Sequence, residues 1–359
     1  MAHRAQYDGI RALAIALVLI CHSVPRATGG ASGVNIFFTL SGFLITGLLL
    51  AERERYGSVW MGGFYARRLL RLMPPLLVML LLVACMPNVY GTSHNGFSAS
   101  LWITIPAALF YVGNYFQAAG EPLGYLSHTW SLGVEEQFYL FWPIGMLALE
   151  RRGRLRWALP RLIIFFVVLR AVLAAFGMHR YGLADWLTSE ADCLLIGALL
   201  AVWMRDPGTV AWAKRTSAGW GALGVLSLVC LFASYKSQGM QGTFALYGGI
   251  TIVGAATAVL IAHLGQRDDG LLSWMFGWAP VVLIGRVSYG IYLYHFVIFQ
   301  WVQHQRYPST AKTYVVEYAL TAAAVALSWF LVERPALRMK DRFRPDRAPF
   351  RRPLLDPAV

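Results

Sequence analysis

Residues 33–50 read GVNIFFTLSGFLITGLLL, eighteen positions without one charged side chain. An α-helix of that length rises about 27 Å, close to the thickness of a bilayer's hydrocarbon core. Working outward, similar apolar runs recur at about 10–28, 33–51, 72–90, 131–149, 159–177, 189–205, 217–235, 243–263, 278–302 and 312–332. The chain is therefore expected to be an all-α, polytopic membrane helix bundle of about ten transmembrane helices. Its 359 residues are 57% hydrophobic and 14% charged, whereas a soluble domain is roughly 25% charged. Such a composition excludes a soluble enzyme, a disordered chain and a disulfide-stapled module. The four cysteines lie in apolar stretches without a CxxC pair and read as small buried hydrophobes.

Charge gives the orientation. Net charge is +13, which in a soluble protein would raise nucleic acid as a partner. With ten spans and both termini cytoplasmic, 25 of the 31 Lys and Arg fall on the inner side. The positive-inside rule then explains the excess, and no nucleic-acid partner is expected. The segment 100–117 (LWITIPAALFYVGNYFQA) is interrupted by Pro106, Gly113 and Asn114. It is expected to be re-entrant or to lie flat, because a full crossing would put RRGRLR at 151–156 outside. Residues 1–27 imitate a signal peptide, but a full second span follows at once, so an uncleaved first span is expected. Residues 1–335 form the membrane domain. Residues 336–359 form a basic, Pro-rich cytoplasmic tail, expected to be disordered and to touch anionic lipid.

Several polar residues are not explained by insertion alone. Asp8 and Arg11 lie at the inner end of the first span and His22 towards its outer end. Eleven residues are about three turns, so Arg11 and His22 share a face roughly 16 Å apart along the axis. In the second span Ser41-Gly42 could kink the helix, allow close packing or open the backbone to a ligand. In FYARRLLRLMPP, Arg67, Arg68 and Arg71 converge at i,i+3 and i,i+4 spacing. They either form a phosphate site or merely orient the span. Pro74-Pro75 is expected to start a new helix whose free N–H groups face the anion. The fourth span opens HTWSLGVEEQFYLFWP, placing Glu135 and Glu136 beside Trp130 and Ser131, and two carboxylates at that depth demand a reason. Ser288, Tyr292 and His295 share one face of the ninth span, as a packing seam or as the opposite wall of a cavity holding His22. Arg170, Asp192 and Glu333 are isolated charges expected to pair. The eight histidines are scattered and no metal site is expected.

Six motifs in this order resemble the acyltransferase 3 family: YDGIRALAIALVLICH, GVNIFFTLSGFLI, ARRLLRLMPP, HTWSLGVEEQFYLFWP, ADCLLIGALLA and GRVSYGIYLYH. The resemblance runs from Asp8 to Glu333-Arg334-Pro335. It implies an integral membrane O-acyltransferase of the bacterial cytoplasmic (inner) membrane. Such an enzyme takes an acyl group, most often acetyl, from acyl-CoA as co-substrate, with no bound cofactor. The implied acceptor is a hydroxyl on a glycan or a natural product such as a macrolide. Arg11 and His22 match the family's Arg-x10-His pair, with His22 the expected base. Arg67, Arg68 and Arg71 match its RRxxR motif on the acyl-CoA side, Ser41 and Gly42 its SGF motif, with Ser41 also expected on the donor side, and Glu135 the acid of WSLxxE. Asn35 departs from the Asp that many members carry in GVDxFF. The chain ends without the SGNH-type domain that some members append, so transfer is expected in the membrane domain or on a partner.

The implied chemistry places the CoA phosphates on the arginine face and the thioester near His22, which takes the acceptor's proton. Glu135 would orient the imidazole, as carboxylates do in Ser-His-Asp sites. A multi-pass transporter is the rival from another class. The missing inverted repeat and the ordered motifs weigh against it.

Overall fold

The computed structural model describes residues 4–23, 30–86, 100–121, 123–176, 187–235, 245–304 and 311–348, all α-, 3-10- or π-helix with short turns and no strand. Arg26, Arg180, Lys236 and Arg306, four of the five positive residues expected on the outer side, and the tail beyond Ala348 lie outside them. The α-helices are α1 Ala5–Ser23, α2 Gly30–Tyr56, α3 Met61–Cys85, α4 Leu101–Leu109, α5 Gly113–Ala118, α6 Trp130–Arg151 and α7 Leu155–Ala175. They continue as α8 Leu187–Trp203, α9 Pro207–Ala213, α10 Thr216–Tyr235, α11 Ile250–Gln266, α12 Leu271–Gly277 and α13 Ala279–Arg286. The last are α14 Ser288–His304, α15 Ala311–Ser328 and α16 Arg334–Met339.

The described residues of the ten expected stretches are largely helical. Six helices are long and apolar enough to cross a membrane, or up to eight if each of two bent pairs is one span. One bent pair is α8 with α9, turned by 112°, and the other is α13 with α14. The ninth expected span is thus two helices parted at Val287, not one rod. In the 100–117 segment, α4 and α5 have nine and six residues, and neither is long enough to cross a bilayer. Tyr111 between them takes a positive φ of 55°, which breaks the helix at the turn.

Two further expectations are corrected. Pro74-Pro75 does not begin a helix: α3 runs from Met61 through both prolines to Cys85. The two prolines lack the N–H groups that would bond the carbonyls one turn back. Tyrosine hydroxyls donate to nearby carbonyls, Tyr289 to Leu72 O at 2.8 Å and Tyr294 to Pro75 O at 3.3 Å. The tail is not wholly irregular either. After a π-turn at Trp329–Glu333, α16 leads into 3-10 turns at Lys340–Phe343 and Pro345–Arg347.

By their contacts the helices form two compact units, Ala2–Thr46 with Thr92–Ser288, and Gly47–Gly91 with Tyr289–Val359. In the first, α2 lies on α8 at backbone contact distance. A Cβ on Gly42 would sit 1.9 Å from Leu194 O, and one on Gly197 would sit 1.9 Å from Thr39 O. The two glycines therefore permit each other's helix to approach. Arg170 of α7 is fully buried and supplies the polar centre of this unit. Its guanidinium donates to Asp192 at 2.9 Å, Ser189 O at 2.6 Å, Leu246 O at 3.0 Å and Thr251 Oγ1 at 2.7 Å. The expected pairing holds for Arg170 and Asp192. Glu333 belongs to the other unit, where it accepts from Ser328 at 3.1 Å.

Candidate active site

At the N-terminal end of α1, Asp8 is 1% exposed and is flanked by two guanidinium groups. Arg11 reaches it at 2.5 Å and Arg286, from the end of α13, at 3.5 Å. α13 comes this close because Gly285 lacks a side chain; a Cβ there would lie 1.8 Å from Asp8 O. One carboxylate between two arginines leaves this end of α1 net positive. His22 stands in the last turn of the same helix, half-buried. Arg11 is thus held by Asp8, about three turns below His22.

Ser41 and Glu135, expected on the donor side and at the catalytic centre respectively, are bonded to each other. The Ser41 hydroxyl donates to Glu135 Oε1, and the Tyr139 hydroxyl, one turn further along α6, donates to the same oxygen. Among the described residues no hydrogen bond falls on Oε2. Two further contacts fix α6 against α2: the Trp142 indole donates to Thr46 Oγ1 at 2.8 Å, and Trp130 meets Phe38 edge-on at 6.4 Å. Ser131 is buried and donates to His128 O at 3.4 Å. A carboxylate fixed on one oxygen by two hydroxyls is well placed to hold an imidazole or a developing cation with the other.

Asn35 is 2% exposed, and its amide donates to Glu190 Oε2 at 2.5 Å. The position without a charge therefore has a buried carboxylate as its partner. Sequence reading missed Glu190 and Tyr139. Both signals were present, an acid inside an apolar span and a hydroxyl four residues after Glu135 on the same helix face.

The second unit holds Arg67, Arg68 and Arg71 in the first half of α3. Arg67 donates to Phe343 O and pairs with Glu52 at 3.4 Å. Glu52, 7% exposed, also accepts from the Trp60 N–H at 2.6 Å, which secures the start of α3. Arg68 is half-buried and Arg71 exposed. Tyr292 and His295 are both buried on α14, their rings 5.7 Å apart, and His295 Nδ1 lies 2.9 Å from Ile291 O. Ser288, the first residue of α14, is buried and belongs to the first unit. Among the described residues no three His, Cys, Asp or Glu side chains gather as a metal site.

Comparison with known proteins agrees with the motifs. The family profile described as an acyltransferase domain matches residues 4–333. A peptidoglycan O-acetyltransferase, OatA of Listeria monocytogenes, is 31% identical over 91% of this chain and 55% of its own length. The O-acetyltransferase OatA of Staphylococcus aureus is 29% identical over 91% of this chain and 56% of its own. The chain thus spans a little over half the length of these relatives. No solved structure matches it. With nearly all of its length aligned to the profile, and its helices carrying the motifs in order, the chain belongs to the acyltransferase 3 family.

Proposed function

We propose that this chain is an acyl-CoA-dependent O-acetyltransferase of the bacterial cytoplasmic membrane, acting on a hydroxyl of a cell-envelope glycan. The hydroxyl oxygen attacks the thioester carbonyl while the His22 imidazole takes its proton. The carbon–sulfur bond then breaks, and the departing CoA sulfur receives that proton from the imidazolium. Glu135 steadies the imidazolium charge, and the arginines of α3 take the CoA phosphates. The observation that carries this reading is the Glu135 carboxylate, held on one oxygen by Ser41 and Tyr139 within motifs matching an acyl-transferring family. The relatives' names favour a glycan over a macrolide as acceptor.

The test is the acetyl-ester content of envelope glycans, by mass spectrometry, in a strain lacking this chain. Loss of esters, restored by the wild-type chain and not by His22→Ala, supports the reading. Unchanged glycans alongside a lost acetyl ester on a secreted small molecule would move the acceptor to the natural-product class.

A further inference from the structure

The C-terminal segment beyond the last apolar run is docked on the arginine face. α16 and the turn Lys340–Phe343 pack against α3. Arg67 donates to Phe343 O, and the Trp60 and Phe343 rings stand 6.4 Å apart. This clamp fixes the backbone at Phe343, three residues after Lys340. Lys340 is thereby held, half-buried, within electrostatic reach of Arg71, Arg67 and Arg68.

We propose that Lys340 is a fourth phosphate-binding cation beside Arg67, Arg68 and Arg71, and that the segment Arg334–Phe343 forms part of the acyl-CoA phosphate site. The inference deepens the donor reading above and rests on it. Like charges brought together without a polyanion repel one another, so the docked tail stores a preference for a ligand carrying several negative charges. Burial first, and then the neighbouring arginines, push the Lys340 ammonium down to about 8, with Asp341 acting the other way. Three carboxylates lie nearby. Glu52 is shared between Arg67 and the Trp60 amide, Asp341 pairs with Arg344 at 2.9 Å, and Glu333 lies within reach of Arg71. CoA, with a pyrophosphate and a ribose phosphate, supplies the multiple charges, and an anionic lipid headgroup offers the same chemistry. CoA is favoured because the cluster is built by a specific hydrogen bond and a ring contact, whereas lipid attraction needs only loose basic charge.

The experiment measures acetyl-CoA affinity of the full chain in nanodiscs of zwitterionic lipid and again with added anionic lipid. Lys340→Ala is expected to weaken binding about tenfold, and Lys340→Arg to restore it. Affinity in the wild type should fall as pH rises from 7 to 9 and stay level in Lys340→Arg. The charged groups around Lys340 are Arg67, Arg68 and Arg71 of α3 and Asp341 beside it, and arginine keeps its charge throughout that range. Arg71→Ala is the reference arm. If it weakens donor binding and Lys340→Ala does not, this inference fails while the donor reading stands. If neither variant changes affinity, the donor reading itself fails. A Lys340→Ala effect seen only as lost attachment to anionic vesicles, with acetyl-CoA affinity intact, would assign the cluster to lipid and overturn the inference.

Discussion

Ser41 of α2 donates its hydroxyl hydrogen bond to Glu135 of α6, so the two motifs SGF and WSLxxE meet at one carboxylate oxygen. Tyr139 supports that oxygen from the same helix as Glu135. Sequence spacing alone does not choose between Glu135 and Glu136; the motif match favours Glu135. Glu135→Gln is expected to lower turnover at least tenfold more than Glu136→Gln in matched membrane preparations. Ser41→Ala and Tyr139→Phe should each cost several-fold, since either leaves one of two hydroxyl donors in place. Full activity of the Ser41→Ala/Tyr139→Phe double variant would remove this hydrogen-bonded unit from the mechanism.

Gly42 belongs to the same motif but has a packing task. With Leu194 O in the place its Cβ would take, Gly42→Ala must push α2 and α8 apart at their closest approach. Overpacking of this kind costs about 1–3 kcal/mol. Thermal unfolding of detergent-solubilised protein should show a fall of several degrees for Gly42→Ala and a similar one for Gly197→Ala. An unchanged midpoint for both would mean that the helices can separate freely.

Arg170 and Asp192, both with fully buried side chains, form an ion pair at 2.9 Å. Removing one partner strands a charge in an apolar interior, so Asp192→Ala should destabilise the fold by about 3–5 kcal/mol. The double variant Arg170→Met/Asp192→Leu should recover part of that loss, because the two paired charges leave together while buried Glu190 stays nearby. Full recovery is not expected, since Ser189 O and Leu246 O would lose their donor. Equal losses from the single and double variants would show that the pair contributes nothing as a pair.

The helices were legible in the sequence because an apolar run of bilayer length has one stable backbone solution. Breaks were harder to read. Val287 divides a span that reads as continuous, whereas Pro74-Pro75 looks like a start and lies within a helix. Periodicity locates side chains on a face but does not show which facing helix receives them. That is why Arg11, Ser41 and Glu135 were identifiable as residues while the bonds Arg11–Asp8 and Ser41–Glu135 were not. Tail docking depends on a carbonyl, Phe343 O, which has no sequence signature at all. Arg170, Asp192 and Glu333 are expected to pair among themselves because unpaired charges at that depth are too costly to persist; Arg170 and Asp192 do, and Glu333 bonds elsewhere.

His22 is proposed as the base in acetyl transfer from acetyl-CoA. Purified chain in nanodiscs, given acetyl-CoA and a soluble glycan fragment bearing free hydroxyls, should release CoA thiol and form acetyl ester in equal amounts. His22→Ala, with acetyl-CoA affinity unchanged, should slow both by about 10²–10⁴-fold. Near-normal ester formation by correctly folded His22→Ala would contradict the account.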